Sequence, residues 1–308
     1  MLQGLEIIQE LGQQRQRKFG KVYLCRQLDN NQKIIVKQVR KEPKNSRAIT
    51  QLFHEKEFSF TLNRLPQIID LKEDENYYYL LSTYIEGKTL KEFWLTIKRH
   101  NRIVFLQQLI EEIAPIFNFL KEKKIVHNDI KPSNFIINEI NGKLHVSLID
   151  FGLAIKIEHH SYRTTLFPLG FASPELVLNQ LSILDQRSDI FALGITLWNL
   201  YTDRLPLLHP NPSIYTNLQL THPLPNASEI QQDLFEIIEK CCVKHPFKTA
   251  PNLLSKDQVQ ANLLDAMNKR YQSIEALQLD INKLNDRKTM KRFLIQVFSK
   301  TNIKREKE

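Results

Sequence analysis

The sequence predicts an α+β fold in two parts, a small strand-rich part followed by a larger helical part. Short segments with β-branched residues, separated by polar turns, fill most of the first 85 residues. After Gly87 the apolar residues recur with helical periodicity. At 308 residues the chain is also longer than one compact core usually holds, which favours two lobes.

The strand-rich part, residues 1–84, is expected to contain five strands and one helix. The strands are predicted where β-branched residues cluster between polar turns, at 5–11, 21–26, 33–39, 68–71 and 77–85. One helix is predicted from residue 46 to residue 65. This prediction rests on the spacing of its apolar residues Leu52, Phe53, Phe60 and Leu62.

The helical part is predicted to form the second domain, residues 85–285. A buried amphipathic helix is expected over 101–124, and a core helix over 189–201, which is apolar on every side. Between these helices, Asn141-Gly142 separates two short strands and is typical of a type I′ hairpin turn. A cleft between two such parts is a common place for a ligand.

The composition, net charge and cysteines of the chain indicate an ordinary globular protein of a reducing compartment. Hydrophobic residues make up 42% and charged residues 25%, as in an ordinary globular chain. The net charge of +9 suits acidic partners such as phosphates, nucleic acid or an anionic surface. The cysteines Cys25, Cys241 and Cys242 provide neither a C-x-x-C motif nor an even disulfide set, so we expect a reducing, cytoplasmic location. The longest apolar run, 190–200, is much shorter than the ~20 residues of a membrane-spanning helix.

A string of polar residues follows the first predicted core helix. It reads His127-Asn-Asp-Ile-Lys-Pro-Ser-Asn134, and Asp150-Phe-Gly152 follows after the hairpin. This order and spacing resemble the H-R-D-x-K-x-x-N and D-F-G motifs of the eukaryotic-type, or Hanks-type, protein kinase family. The resemblance covers about residues 5 to 285 and is strongest to bacterial Ser/Thr kinases.

The resemblance implies a two-lobed protein kinase fold that binds ATP and Mg²⁺. By this resemblance Asp129 would orient the incoming hydroxyl, and Lys131 would reach the γ-phosphate. Asn134 and Asp150 would hold Mg²⁺, which prefers one or two carboxylates together with phosphate oxygens. A lysine at position 131, two residues after the catalytic aspartate, is similar to Ser/Thr kinases rather than Tyr kinases.

The first part resembles the ATP-holding lobe of the family. Ile34-Ile-Val-Lys37 is similar to the kinase V-A-I-K motif, in which the lysine holds the α- and β-phosphates. Ile35 stands where the family has alanine, so we expect a smaller adenine pocket. Lys37 needs a glutamate from the following helix. Glu55 and Glu57 are the candidates, and Glu57 is the preferred one.

The glycine-rich loop departs most from the family pattern. Gly12 and Gly20 match its outer glycines, but the middle glycine is missing and three residues are added. Glycine serves there because backbone N–H groups must approach phosphate closely. Three basic residues of the loop either replace that approach with charge or are simply solvated: Arg15, Arg17 and Lys18.

The resemblance also assigns the adenine site. Thr83 to Ile85 would form the hinge whose backbone groups pair with adenine, and Ser82 would be a small gatekeeper that opens a back pocket. Val22 and Ile136 would sandwich the adenine ring.

The substrate side of the second part contains three further family motifs. Ser173-Pro-Glu175 resembles A-P-E, and Asp189 precedes Gly194 as in D-x-x-x-x-G. Arg270 resembles the late arginine that pairs with the A-P-E glutamate. We therefore expect a buried, bidentate ion pair between Glu175 and Arg270.

Asn128 replaces the arginine that grips an activation-segment phosphate in regulated members of the family. We therefore predict activity without phosphorylation of that segment, although Ser161, Thr164 and Thr165 could still accept phosphate.

The favoured function is a protein kinase that transfers the γ-phosphate of ATP to a Ser or Thr hydroxyl of a protein. The alternatives are a nucleotide-binding pseudokinase or scaffold and a small-molecule phosphotransferase of related fold. No nucleic-acid partner is expected. The basic tail, residues 286–308, either docks on the large lobe or contacts an acidic partner or anionic surface, since it interleaves cations with an apolar helical face: Phe293, Leu294, Val297 and Phe298.

Overall fold

The computed structural model describes residues 3–12, 20–157 and 167–284. Its first part is a five-stranded antiparallel sheet in the order β1-β2-β3-β5-β4. The strands are β1 (Leu5–Leu11), β2 (Lys21–Gln27), β3 (Lys33–Arg40), β4 (Ile68–Glu73) and β5 (Tyr77–Thr83). Each of the five predicted strands is therefore present.

Alternation along β3 sends neighbouring side chains to opposite faces of the sheet. Ile34 and Val36 lie in an apolar cluster on one face. Val39 lies on the other face, against Ala48 and Leu52 of helix α1 (Ser46–Lys56). The helix thus packs on the face of the sheet to which Lys37, two residues before Val39, also belongs.

Helix α1 is shorter than the sequence predicted, because it ends at Lys56 rather than at residue 65. Beyond it, Phe58 and Phe60 are both buried in the core of the second part. Their spacing of two is that of an extended chain, whereas a helix repeats after three or four residues. The predicted single helix is therefore wrong over its second half.

The second part consists mostly of helices around one apolar core. Its described helices are α2 (Leu90–Trp94), α3 (Arg102–Glu122), α4 (Pro174–Val177), α5 (Gln186–Thr202), α6 (Pro212–Thr221), α7 (Gln232–Cys241), α8 (Lys256–Lys269) and α9 (274–284). The predicted core helices correspond to α3 and α5. Both place most of their apolar residues in the core.

One segment of the described chain, Arg99–Glu122, is long and apolar enough to span a membrane by composition. More than half of its most apolar window is buried inside the protein. Leu106, Leu109, Ile110 and Ile113 of this segment are fully buried in the core of the second part. Its apolar character is therefore accounted for by packing within the fold.

Short strands next to the cleft position the loops described below. A three-stranded sheet contains β6 (Lys88–Thr89), β8 (Phe135–Ile140) and β9 (Lys143–Leu148), and a second small sheet pairs β7 (Ile125–Val126) with β10 (Ile155–Lys156). Asn141 and Gly142 join β8 to β9 with positive φ angles of 52° and 72°. This is the turn that the Asn-Gly pair predicted. The chain is α+β, with its five-stranded sheet in the first part and most of its described helices in the second.

Candidate active site

Lys37 connects the five-stranded sheet to helix α1 and to Asp150, which lies after β9. Its Nζ lies 2.7 and 2.6 Å from the two carboxylate oxygens of Glu55 and 2.8 Å from Oδ1 of Asp150. Burial alone would lower the pKa of Lys37, but the two carboxylates hold it well above its ordinary value. The ammonium group therefore stays charged and links β3, α1 and the segment after β9.

The carboxylate that pairs with Lys37 belongs to Glu55, so the preference for Glu57 was wrong. Glu55 follows Ala48 and Leu52 at helical spacing, and all three residues are buried on the same face of α1. Glu57 lies at the C-terminal cap of the helix and is exposed. The error follows from extending the helix beyond Lys56, which displaced the predicted register.

Asp150 begins the segment that follows β9 and has a left-handed backbone, with φ of 71°. This conformation is costly for a residue other than glycine, so neighbouring contacts must fix it. Phe151 provides them, because its buried ring packs against Phe58, Phe60 and His127 at centroid distances of 5.9, 4.4 and 4.6 Å. Burial alone would raise the pKa of Asp150, but Lys37 lowers it, so the carboxylate is ionised.

The loop from His127 to Asp129 is fixed by hydrogen bonds to buried groups. The carboxylate of Asp189, in the first turn of α5, accepts the backbone N–H of His127 at 2.8 Å and of Asn128 at 2.9 Å. His127 Nδ1 accepts the N–H of Asp129, which leaves Nε2–H to donate to the carbonyl of Ile149 at 3.2 Å. Burial lowers the pKa of His127 to about 4, so the ring is neutral, as these bonds require.

Asp129 lies at the centre of a second polar cluster. Lys131 Nζ donates to its two carboxylate oxygens at 3.0 and 2.7 Å. Asn134 Nδ2 donates to the carbonyl and to Oδ2 of Asp129 at 2.9 and 2.8 Å. Burial raises the pKa of Asp129 to about 6, against the opposing charge of Lys131. At neutral pH the carboxylate is therefore ionised, but it is more basic than a solvated aspartate.

The predicted nucleotide-binding residues Val22 and Ile136 belong to two different sheets, and the two predicted glycines have positive φ angles. Gly20 has φ of 94°, and a Cβ atom there would lie 2.5 Å from the carbonyl of Gln38, so a larger residue does not fit. Gly12 also has a positive φ, of 82°. Val22 pairs with Lys37 across β2 and β3, and Ile136 lies in β8. Residues 13–19, with Arg15, Arg17 and Lys18, lie outside the described residues.

The predicted hinge follows strand β5. Thr83 is the last residue of β5, and its N–H donates to the carbonyl of Gln67 at 2.9 Å. Its hydroxyl accepts the N–H of Gln67 at 3.0 Å, which fixes the side chain as well. Ser82 is buried beside it, while Ile85 has left the strand and is half-buried. The N–H of Thr83 is therefore committed within the fold.

The expected ion pair between Glu175 and Arg270 is present and confirmed as bidentate. The two guanidinium nitrogens donate to the two carboxylate oxygens at 2.6 and 3.0 Å, and both side chains are 0% exposed. Ser188 donates a third hydrogen bond to Glu175 at 2.7 Å. Burial alone would raise the pKa of Glu175, but Arg270 and Ser188 hold it below its ordinary value. This pair joins α4 to the end of α8.

Two contacts of the site were missed from the sequence. Phe58 and Phe60 support Phe151, and their alternating pattern could have indicated an extended segment rather than a helix. Lys156 of β10 donates to the carbonyl of Glu57, at the C-terminal end of α1, at 3.3 Å. No sequence pattern pointed to that contact, because the two residues are 99 positions apart.

Comparison with known proteins places this arrangement in a family. The model of the protein kinase domain family matches residues 5–257. Serine/threonine-protein kinase PrkC of Bacillus subtilis is 28% identical over 287 residues, which cover 89% of this chain and 40% of PrkC. Serine/threonine-protein kinase B of Synechocystis sp. is 28% identical over 243 residues, which cover 71% of this chain and 40% of that protein.

The chain is also similar to a serine/threonine-protein kinase from a eukaryote. Serine/threonine-protein kinase PSK1 of Saccharomyces cerevisiae is 28% identical over 246 residues, covering 74% of this chain and 18% of PSK1. The chain thus spans less than half the length of these three relatives. The family match covers most of the chain and includes the whole cleft, from Lys37 to Asp150. The chain therefore belongs to the protein kinase domain family.

Proposed function

We propose that this chain is a protein serine/threonine kinase that transfers the γ-phosphate of ATP to a protein hydroxyl in the presence of Mg²⁺. The observation that carries the proposal is the pairing of one cation, Lys37, with Glu55 and Asp150 across the cleft. The names of the bacterial relatives support the same activity. The buried, unpaired cysteines support the proposed cytoplasmic location: Cys25, Cys241 and Cys242.

The residues present fit the binding of Mg²⁺ together with a nucleotide. Of the two carboxylate oxygens of Asp150, Oδ1 accepts the hydrogen bond of Lys37, and the Asp150 side chain is 41% exposed. Asn134 uses its amide nitrogen for Asp129, and its carbonyl oxygen, which accepts a long hydrogen bond of 3.5 Å from the hydroxyl of Ser133, can also face a cation. Within the described residues no group of three carboxylate, imidazole or thiol side chains forms a metal site by itself. Such a sparse oxygen set suits Mg²⁺, which retains phosphate and water ligands.

Lys37, Asp150 and Asn134 would together bind the charged end of the nucleotide. Lys37 is partly buried and charged, so it can neutralise α- and β-phosphate oxygens without a large cost of desolvation at the moment of binding. The bound Mg²⁺ would supply charge neutralisation between the phosphate groups. Val22 and Ile136 offer apolar surface for the adenine, and the segment from Thr83 to Ile85, apart from the N–H of Thr83, offers backbone groups at the edge of the adenine.

Asp129 would orient the acceptor hydroxyl. With a pKa of about 6 it is ionised at neutral pH and can accept the hydrogen bond of a serine or threonine hydroxyl. Its increased basicity favours partial proton transfer as the oxygen attacks phosphorus. Lys131 contacts the same carboxylate and would offset negative charge on the transferred phosphoryl group. The product would be a phosphoserine or phosphothreonine and ADP.

The proposal is tested by incubating the protein with γ-labelled ATP, Mg²⁺ and a generic basic protein, followed by phosphoamino acid analysis. We expect label in phosphoserine and phosphothreonine. The Asp150→Ala variant should bind nucleotide with the same affinity in the presence and absence of Mg²⁺, and it should transfer no label. Nucleotide binding by the wild-type chain without any transfer would favour a pseudokinase. Label found only in small molecules would favour a small-molecule phosphotransferase.

A further inference from the structure

Asn128 occupies a special backbone position between His127 and Asp129. Its φ is 62°, in the left-handed region that asparagine tolerates better than most residues. Its N–H donates to Asp189, and the residue is only 4% exposed. The hydrogen bond to Asp189 of α5 therefore holds the backbone of Asn128 in place and fixes the direction in which its side chain leaves the loop.

The side chain of Asn128 crosses to the segment that carries Asp150. Its Nδ2 donates to the carbonyl of Leu153 at 3.2 Å. Leu153 lies between two anchored points of that segment, the buried ring of Phe151 and the pairing of Ile155 with Val126. The hydrogen bond therefore fastens the stretch between these points directly to the loop that contains Asp129.

This hydrogen bond is accompanied by an unsatisfied group. The Oδ1 atom of Asn128 is buried and accepts no hydrogen bond from the described residues. Turning the amide over would place that oxygen against the carbonyl of Leu153, so the amide is held in its present orientation. An unpaired buried acceptor is destabilising, so the side chain retains a cost that the hydrogen bond to Leu153 must offset. The left-handed backbone favours asparagine at this position, and the hydrogen bond gives its side chain a second role.

A second contact stabilises the same segment. Lys156, three residues after Leu153, donates to the carbonyl of Glu57 and lies 5.5 Å from the ring centre of Phe58. A cation at the C-terminal end of a helix is favourable. The segment is therefore connected to the loop of Asp129 by Asn128, and to the helix of Glu55 by Lys156.

We propose that Asn128 is a positioning residue that holds Leu153, and through it Asp150, in the arrangement that pairs with Lys37. The chain would then need no phosphate on Ser161, Thr164 or Thr165, which lie outside the described residues. This inference rests on the proposed kinase function and deepens it. A direct hydrogen bond takes the place of the arginine–phosphate contact of regulated members of the family, whose arginine Asn128 replaces.

The test compares Asn128→Gly with Asn141→Gly, both made in a parent chain with Ser161, Thr164 and Thr165 changed to alanine. Glycine keeps the left-handed backbone available, so Asn128→Gly removes the hydrogen bond without adding strain. Asn141 is the matched control, because it also has a positive φ, of 52°, but lies in an exposed turn. Asn128→Asp is a second variant, which keeps the shape and replaces the donor with an acceptor.

The first readout is hydrogen–deuterium exchange of peptides covering 150–157, without nucleotide. Loss of one buried hydrogen bond should speed exchange about fivefold to tenfold in both Asn128 variants and leave Asn141→Gly like its parent. The second readout is phosphoryl transfer, for which we expect a similar fall in kcat/KM and a smaller change in KM for the protein substrate. Exchange in both Asn128 variants equal to that of the control would overturn the inference.

The two proposals fail in different ways. If the phosphorylatable chain transfers phosphate and the alanine parent does not, the segment needs its phosphate and the inference about Asn128 is wrong, while the kinase function stands. If neither chain transfers phosphate, the proposed function is wrong. The exchange measurement still decides in that case whether Asn128 holds the segment, since it requires no activity.

Discussion

The buried ion pair between Glu175 and Arg270 makes a quantitative prediction about stability. Replacing Arg270 with methionine leaves the Glu175 carboxylate 0% exposed and without its cation. It also removes the hydrogen bond from Arg270 Nε to the carbonyl of Val243. Breaking one side of a buried pair costs about 3–5 kcal/mol. For a domain whose free energy of unfolding is about 5–15 kcal/mol, this is a large fraction.

The assay is equilibrium unfolding in urea, with the free energy of unfolding taken from the midpoint and slope. The matched control is Arg204→Met, because Arg204 pairs with Glu229 on the surface, where it is 57% exposed. That change should cost less than about 1 kcal/mol. The double variant Glu175→Gln/Arg270→Met should recover part of the loss, since no buried charge then lacks a partner. Equal costs for the two arginine variants would refute the reasoning.

Three further predictions concern the cleft and the tail. Glu55→Gln should lower kcat/KM about a hundredfold, as expected for a group that orders a transition-state cation, while Glu57→Gln stays within about twofold; equal effects in steady-state kinetics would contradict the assignment of Glu55. The transfer rate should fall about tenfold between pH 7 and pH 5, because Asp129 gains a proton as the pH drops through its pKa of about 6; a flat profile would contradict this. Deletion of residues 286–308 should lower the midpoint of thermal unfolding if the tail docks on the large lobe. An unchanged midpoint together with lost binding to anionic vesicles would favour the surface-binding alternative. No change in the midpoint or in vesicle binding would contradict both alternatives.

Much of the fold was predictable because its signals are local. The strands of the first part and the Asn-Gly turn depend on alternation and turn chemistry within a few residues. The end of α1 was not predictable in this way. Phe58 and Phe60 are apolar enough to continue a helix, but they are buried in the core of the other part as an extended segment. Tertiary packing therefore overrode the local pattern.

In the candidate site, too, some features were visible in the sequence and others depended on tertiary contacts. The order of Lys37, Asp129, Asn134 and Asp150 was visible in the sequence because their spacing follows a family pattern. The choice between two glutamates depended on the length of α1 and was wrong. The contact of Asn128 with Leu153 was also invisible, because it depends on a left-handed backbone and on a fold that brings two loops together.

The most direct test of the account is single-turnover transfer by the wild-type chain and by Asp129→Asn, both saturated with ATP and Mg²⁺. The change keeps the size of the side chain and removes its charge and basicity. We predict nucleotide affinity within about twofold of wild type and a transfer rate lower by about 10²–10⁴, the usual contribution of a positioned acid or base. Transfer by Asp129→Asn at the wild-type rate would contradict the assignment of this cleft as the site of phosphoryl transfer.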